Sequence, residues 1–235
     1  MTQNNTNQKI EVFNQIVIWY HKHIIHFMIF FIITGLPILS NKFSFLAYIF
    51  GIPVSLFAGA NTSAEILSIG IQVARIFHRV TALFFLLTTI PFVIVMLKDI
   101  SSWQIWPEKW GIKAFFQGFS DLYKTYIKFE HPEIGKYNMG QKLFAWFIIF
   151  SMIVMTITGL MLTFRDSYTL EALQWAKSLH GTFFILIIFF LIIHMYIGTH
   201  PINRCGLKAI FRTGEANLEH IKEKHPKWYK KIVKN

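Results

Sequence analysis

The chain has 235 residues, a formal net charge of +11 and a hydrophobic content of 54%, with 25 phenylalanines and one cysteine. Together with a mean hydropathy of +0.44, this composition predicts an integral membrane protein and argues against a soluble helical domain. The single cysteine excludes a disulfide and any iron–sulfur cluster held by this chain alone. Nucleic-acid binding is also disfavoured, because the basic residues do not form a separate soluble domain.

Four segments are long and apolar enough to cross a membrane as helices, and they cover residues 19–39, 77–97, 143–164 and 179–199. They predict an all-α integral membrane fold, a four-helix bundle that forms one domain over residues 1–235. The polar N-terminus does not have the pattern of a cleavable signal peptide. We find no internal repeat in the sequence beyond the two pairs of spans.

The distribution of lysine and arginine predicts the orientation. Eighteen of these residues flank the spans on the side of both termini, whereas the two opposite loops hold four. By the positive-inside rule, both termini are cytoplasmic and the protein is a multi-pass protein of the bacterial inner membrane. The basic tail, residues 200–235, can lie on anionic lipid or against partner proteins.

Two connecting segments are rich in apolar residues. The outer loop 40–76 contains FSFLAYIFGIPVSLFA, which is interrupted by glycine and proline, so we expect a re-entrant or interfacial piece or a docking surface for a partner helix. The inner loop 98–142 alternates aromatic and basic residues at roughly helical spacing. This pattern predicts an amphipathic helix on the cytoplasmic surface, with tryptophans as interface anchors.

Histidines within apolar helices are costly and therefore mark candidate functional positions. His180 and His194 are fourteen residues apart in the fourth span, a separation of ~21 Å with ~40° of rotation on a helix. The predicted topology puts His78 at the outer depth of His180. The inner depth of His194 is shared by a cluster at the start of the first span, which consists of His21, His23 and His26.

Paired imidazoles at one depth can ligate a planar iron porphyrin from both sides. With both axial positions filled, the iron has no open position for oxygen, so electron transfer is the expected role. Zinc is disfavoured, because the two depths are ~20 Å apart and cannot form one tetrahedral site. The sorting of the histidines into two depth-matched pairs therefore favours haem.

Several motifs resemble the cytochrome b, or gamma, subunit of membrane-bound formate dehydrogenases. They are WYH before a span that ends in ITGL, ARIFH, GKYNMGQK, SLH…IIHMY and HPKWY. The resemblance implies two b haems and a menaquinone site. It assigns His78 and His180 to the outer haem iron, and His21 and His194 to the inner haem iron. His21 is selected because it lies fourteen residues before Gly35, as the family ligand does before its glycine.

The same resemblance implies a quinone site next to the inner haem. Asn138 and Gly140 of GKYNMGQK match the family positions, with Gln141 and Lys142 as neighbours for positioning or proton supply. An asparagine amide can hydrogen-bond a quinone carbonyl, and a glycine lets a flat ring approach the backbone. The alternative for this segment is a turn that begins a helix. Four basic residues near the haem depths could pair with propionates or face lipid: Arg75, Arg79, Lys177 and Arg204.

The resemblance implies an electron-transfer subunit without a dehydrogenase active site of its own. Its partners would be an iron–sulfur subunit and a catalytic molybdenum or tungsten subunit on the outer side, with menaquinone as acceptor and a possible higher oligomer of the complex. The long loop 40–76 and the segment GTHPINRCG depart from the family pattern. Alternatives are therefore the cytochrome b subunit of a nickel–iron hydrogenase or of a thiosulfate or polysulfide reductase. A haem-free membrane anchor or small transporter is an alternative of another class.

Overall fold

Apolar runs with few helix breakers form long helices in this chain, and the computed structural model describes residues 8–130 and 132–234. Its helices and strands, in chain order, are β1 (Lys9–Glu11), α1 (Gln15–Leu39), α2 (Tyr48–Ala58), α3 (Ser63–Leu97), α4 (Ile112–Tyr126), α5 (Met139–Thr163), α6 (Leu170–Thr199), α7 (Arg204–Lys208), β2 (Glu215–Asn217), α8 (Leu218–Lys224) and α9 (Pro226–Lys234). Short 3₁₀ segments occupy Asn41–Ala47, Ile100–Trp103, Arg165–Ser167 and Pro201–Asn203, and a π-helical turn occupies Ala209–Thr213.

The all-α fold is confirmed, but more helices than the predicted four are long and apolar enough to span a membrane. Within the described residues there are five such helical segments, judged by length and composition: Gln15–Leu39, Asn41–Ala58, Ser63–Leu97, Met139–Thr163 and Leu170–Thr199. Four cover the predicted spans to within one residue. The additional one, Asn41–Ala58, covers the apolar piece that we expected to be re-entrant or interfacial.

The predicted loop 40–76 is partly helical, because α3 begins at Ser63 and not near residue 77. Thr62 caps this helix: its hydroxyl accepts from the Glu65 amide at 3.2 Å, and the Glu65 carboxylate accepts from the Thr62 amide at 3.0 Å. This reciprocal capping box satisfies the first amides of the helix and sets its start. At ~1.5 Å per residue, the 35-residue helix is ~52 Å long.

The described residues divide into two compact units, and the single domain predicted for the whole chain stays a prediction. Residues 16–98 form one unit, made of α1, α2 and α3. Two glycines let the segment 41–58 approach α3 closely. A Cβ atom on Gly70 would overlap the carbonyl oxygen of Ala47, and one on Gly51 would overlap that of Ile66. Aromatic contacts join α1 to α3, including Phe31 against Phe85 with ring centroids 5.6 Å apart.

The other unit contains residues 8–15, 99–130 and 132–234. Its long helices α5 and α6 pack through phenylalanines, such as Phe147 against Phe190 at 4.5 Å between centroids. The predicted amphipathic helix of the inner loop is present as α4. The basic tail is folded: β2 pairs with β1 in antiparallel register, with Ile10 opposite Ala216, and Ile221 of α8 is fully buried.

Replacing Gly70 by alanine should destabilise the unit of α1, α2 and α3. The added methyl group overlaps the Ala47 carbonyl, and the main chain cannot move aside as a flexible side chain would. We expect a loss of about 1–3 kcal/mol, which is typical of overpacking. Thermal unfolding of the purified protein in detergent measures it.

The matched control is Gly198→Ala in α6, where an added Cβ atom has no heavy atom within 4 Å. This change should be neutral or slightly stabilising, because alanine has the higher helix propensity. Equal melting temperatures for both variants would contradict the close approach at Gly70.

Candidate functional site

The four predicted haem ligands lie on three long helices: His21 on α1, His78 on α3, and His180 with His194 on α6. All four are half-buried, whereas His23 and His26 are exposed. The rings of these two exposed histidines bind back to their own helix, with Nδ1 of His23 2.7 Å from the Trp19 carbonyl oxygen. Within the cluster at the start of α1, burial therefore distinguishes His21 from its neighbours.

His78 is held by a threonine of the neighbouring helix. Its Nδ1 atom lies 2.9 Å from Oγ1 of Thr34 on α1. The same hydroxyl lies 2.6 Å from the carbonyl oxygen of Phe30, one turn earlier. A carbonyl oxygen can only accept, so the single hydroxyl proton of Thr34 points to Phe30. The hydroxyl oxygen must then accept a hydrogen bond, and Nδ1 of His78 donates it.

His180 has the same arrangement in the other unit. Its Nδ1 atom lies 2.9 Å from Oγ1 of Thr158 on α5, and that hydroxyl donates to the Val154 carbonyl at 2.7 Å. The neighbouring Gly159 borders the ring, since an added Cβ atom would lie 3.4 Å from Cε1 of His180. Thr34 and Thr158 are 0% and 4% exposed, so water does not replace them as acceptors.

This geometry fits a histidine that ligates iron. A neutral imidazole carries one proton, so donation from Nδ1 places the ring's lone pair on Nε2. Metal-bound histidines commonly donate their other ring nitrogen to an oxygen acceptor, which fixes the tautomer and the ring orientation. Both His78 and His180 have this arrangement.

The two threonines were missed by the sequence analysis, although a signal was present. The tetrapeptide ITGL occurs twice, at residues 33–36 in α1 and 157–160 in α5, each time with a histidine in the following long helix. The statement that the sequence holds no internal repeat was too strict. Threonine is common in apolar helices, where it bonds to its own backbone, so neither residue attracted notice alone.

The predicted inner ligand His194 stacks on an aromatic ring. Its imidazole lies 4.5 Å from the ring of Phe144 on α5, with 10° between the planes. Phe144 belongs to the first turns of α5, close in sequence to the predicted quinone residues. The stack orients the His194 ring, and α6 carries His180 and His194 on one continuous helix.

The predicted quinone residues form the N-terminus of α5. Asn138 is its N-cap: its side-chain oxygen accepts from the Gln141 amide at 2.9 Å, and the Gln141 side chain accepts from the Asn138 amide at 2.9 Å. The Asn138 side-chain nitrogen donates to the Tyr126 hydroxyl at 3.2 Å. Gly140 lies against Leu122 of α4. The alternative of a turn that begins a helix therefore describes these residues well.

A cavity of about 40 Å³ lies beside this cap, and Asn138, Gln141, Tyr126, Asn203 and His225 are among its lining residues. Such a volume holds about one or two waters and is too small for a quinone ring. Asn203 also donates to the Tyr126 hydroxyl, at 2.9 Å. These polar side chains therefore lie together, and Asn138 and Asn203 both hydrogen-bond to Tyr126.

Lys142 is buried and forms an ion pair instead of lying free near the cap. Its ammonium group lies 3.4 Å from the carboxylate of Glu108, which is also 3.3 Å from the ammonium group of Lys227. Burial would raise the pKa of the Glu108 carboxyl, but the two lysines outweigh it and hold the pKa below its ordinary value. The other predicted basic residues are exposed: Arg75, Arg79, Lys177 and Arg204.

Lys136 lies outside the long apolar helices and is a half-buried lysine with a lowered pKa. Its ammonium group donates to the Val12 carbonyl at 2.7 Å and lies over the rings of Phe13, Tyr137 and Trp228, 5.1 to 5.5 Å from their centroids. Desolvation by burial lowers the pKa of Lys136 to about 8. The same burial raises the pKa of Tyr137 to about 12.

The long apolar helices and the half-buried histidines define a multi-pass membrane protein with a donor set suited to a metal-containing cofactor. A profile of the prokaryotic cytochrome b561 family matches residues 12–212. The chain belongs to this family, and the family implies haem b and a role in membrane electron transfer.

Curated relatives include three cytochrome subunits. The nitrate-inducible formate dehydrogenase cytochrome b556(Fdn) subunit of Escherichia coli K12 is 28% identical over 105 residues, 43% of this chain and 47% of the relative. The chain therefore spans about half the length of this relative. The formate dehydrogenase cytochrome b556(fdo) subunit of the same strain is 22% identical over 208 residues, 86% of this chain and 83% of the relative. The cytochrome b556 subunit of Haemophilus influenzae formate dehydrogenase is 26% identical over 102 residues, 42% of each chain.

Replacing Glu108 by glutamine should destabilise the unit that contains α5. Lys142 has a side chain only 10% exposed and would lose its charged partner. We expect a loss of about 2 kcal/mol at neutral pH, in the range of hydrogen bonds to charged groups. Denaturant or thermal unfolding in detergent at pH 7 measures it.

The control is Glu133→Gln, which breaks the pair of Glu133 with Lys230, whose side chains are 61% and 63% exposed. Its effect should stay below about 0.5 kcal/mol, as for exposed pairs. Because the pKa of Glu108 is lowered, the stabilisation is present above its unfolded-state pKa and disappears as the pH falls through the folded-state value. Equal losses in the two variants would contradict the role of the Lys142 pair.

Stability should rise with pH between about 8 and 9.5, and Lys136→Met should flatten this rise. The folded-state pKa of Lys136 is about 8 against an ordinary value of 10.5. The unfolded chain thus binds the proton more tightly in this window, and raising the pH favours the folded state, by at most about 1.4 kcal/mol per pH unit. Melting temperatures at three pH values measure the slope. An unchanged slope in the variant would show that Lys136 titrates normally.

Proposed function

We propose that the chain is the dihaem cytochrome b subunit of a formate dehydrogenase complex, which passes electrons from a partner iron–sulfur subunit to menaquinone. The observation that carries this proposal is a contact shared by two histidines: Nδ1 of His78 and Nδ1 of His180 each lie 2.9 Å from the hydroxyl oxygen of a buried threonine. The relatives that are named as formate dehydrogenase subunits support the choice of complex.

His78 and His180 would hold one haem iron through Nε2, and His21 and His194 would hold the other. The pairing follows from the depths that the sequence predicts for these residues in their spans. Haem iron with two imidazole ligands supplies one-electron transfer without an open position for oxygen. The chain's own residues bind and orient the cofactor, and the long apolar helices keep water away from the ligands.

Menaquinone would bind at the N-terminus of α5, beside Asn138, Gly140 and Gln141. The nearby Tyr126 and Asn203 supply further hydrogen-bonding groups. The cavity of about 40 Å³ requires these side chains to separate before a quinone head group can be admitted. The Asn138 amide would then exchange Tyr126 for a quinone carbonyl, while its oxygen keeps capping α5.

The excess of basic residues supports an inner-membrane protein with both termini in the cytoplasm. In this orientation the quinone residues lie on the cytoplasmic side, and His78 and His180 lie on the outer side. An iron–sulfur subunit, with a catalytic molybdenum or tungsten subunit, would dock on that outer side. Formate oxidation would take place on the catalytic partner.

The optical spectrum of the complex and of two histidine variants tests the proposal. The purified wild-type complex should contain about two b-type haems per chain. His78→Ala and His180→Ala should each lose the same haem, about half of the content, because each would remove one of the two histidines that hold it under the proposal. Haem content by pyridine haemochrome and potentiometric titration of the remaining haem measure both effects.

The control is His23→Ala, which removes an exposed histidine of the α1 cluster and should keep both haems. Absence of any b-type signal in the wild-type complex would overturn the proposal. Reduction of the haems by formate supports the formate dehydrogenase complex, whereas reduction by hydrogen and not by formate would replace it by a hydrogenase.

A further inference from the structure

We propose that Thr34 and Thr158 are positioning residues that select Nε2 of His78 and His180 as the iron-binding atom and tune the potential of the outer haem. This inference rests on the proposed haem ligation. It assigns a role to two residues that carry no charge and would not touch the iron themselves.

The direction of each hydrogen-bond chain is set by the backbone. The carbonyl oxygens of Phe30 and Val154 can only accept, so they take the hydroxyl protons of Thr34 and Thr158 at 2.6 and 2.7 Å. Each hydroxyl oxygen then accepts from a ring Nδ1 at 2.9 Å. A hydroxyl that donates to a carbonyl is polarised and becomes a better acceptor. The alternative tautomer would put two acceptors face to face in a buried site.

The shape of threonine makes the hydroxyl a rigid acceptor. Its branched Cβ restricts χ1 in a helix, and the bond to the preceding turn holds the oxygen in one place. Because Thr34 and Thr158 are 0% and 4% exposed, water cannot compete for the ring proton. The ring planes of His78 and His180 are thereby fixed by a neighbouring helix of the same unit.

The consequence for iron follows from the basicity of the ligand. An iron-bound ring that donates its one N–H to an acceptor is a stronger electron donor, which favours the ferric state and lowers the reduction potential. Loss of the hydroxyl should therefore raise the potential. If both rings bind one iron, both threonines must act on the same haem.

The test uses the intact complex with Thr34→Val, Thr158→Val and the double variant. Each single change should raise the midpoint potential of one haem, the same haem in both variants, and the double change should raise it further. The potential of the other haem should stay unchanged. Transfer of haem to excess apomyoglobin should become on the order of tenfold more favourable, as for other lost outer-shell partners.

Matched controls are Thr163→Val in α5 and Thr88→Val in α3. Their hydroxyls donate to the carbonyls of Gly159 at 2.8 Å and Phe84 at 3.1 Å, and no histidine is among their partners in the described part of the chain. They should leave both potentials unchanged. Thr34→Ser and Thr158→Ser retain the hydroxyl and should keep the wild-type potential. If a valine variant does not assemble, the alanine variant, which adds no atoms, takes its place.

Unchanged potentials and haem retention in both hydroxyl-free variants would overturn the inference, as would a serine variant that shifts as far as the valine variant. A wild-type complex with two haems would then leave the proposed function intact. Shifts in two different haems would support the positioning role and overturn the pairing of His78 with His180. A wild-type complex without haem would overturn both.

Discussion

The candidate site depends on one constraint: a neutral histidine ring within an apolar helix needs an acceptor for its N–H. An unsatisfied N–H in such surroundings costs several kcal/mol. On α3 and α6 the acceptor is a threonine hydroxyl from α1 and α5, respectively. The hydroxyl cannot donate to the ring, because it donates its single proton to a backbone carbonyl in a hydrogen bond. The series of hydrogen bonds from ring to hydroxyl to carbonyl thus has one possible direction, and the helix backbone determines which ring nitrogen keeps the lone pair.

The same device occurs in both units although their connections differ. The sequence separation is 44 residues between Thr34 and His78, and 22 residues between Thr158 and His180. The longer connection holds the apolar segment Asn41–Ala58, which packs on α3 where Gly51 and Gly70 remove the side chains that would block it. Glycines on α2 and α3 thus allow the additional helix to pack there. The distance from the histidine Nδ1 atom to the threonine hydroxyl oxygen is 2.9 Å in both units.

Sequence patterns were most informative where one physical effect dominates. Sustained hydropathy predicted where four helices end. The observed ends, at residues 39, 97, 163 and 199, lie within one residue of the predicted ones. The starts were less predictable, because Thr62 and Asn138 cap their helices through local hydrogen bonds that hydropathy does not register. The loop 40–76 contains more helix than its sequence suggested: its glycine and proline pointed to an interruption, whereas Gly51 serves close packing and Pro53 lies within α2.

The sequence pointed to candidate residues of the site but not to their contacts. Histidine identity and depth marked His78, His180, His194 and the cluster at the start of α1, and the family resemblance selected His21 from that cluster. The threonines were not conspicuous, since a lone hydroxyl in a helix commonly bonds to its own backbone and signals nothing more. Asn138 and Lys142 show the reverse case. Their polarity drew attention at the sequence level, and the structure gives both a structural contact, a helix cap and an ion pair with Glu108.

The two kinds of polar site in this chain suit different tasks. At His78 and His180 the hydrogen bonds to Thr34 and Thr158 join neutral groups. At the N-terminus of α5 the groups nearby are charged or titratable: Glu108 between Lys142 and Lys227, and Lys136 with a pKa lowered to about 8 by burial. A lysine that exchanges its proton closer to neutral pH than an ordinary lysine is suited to a region where a quinone takes up protons. Under the proposed function, electron transfer therefore takes place beside neutral hydrogen-bonded side chains, and proton uptake takes place where charged and titratable side chains are grouped.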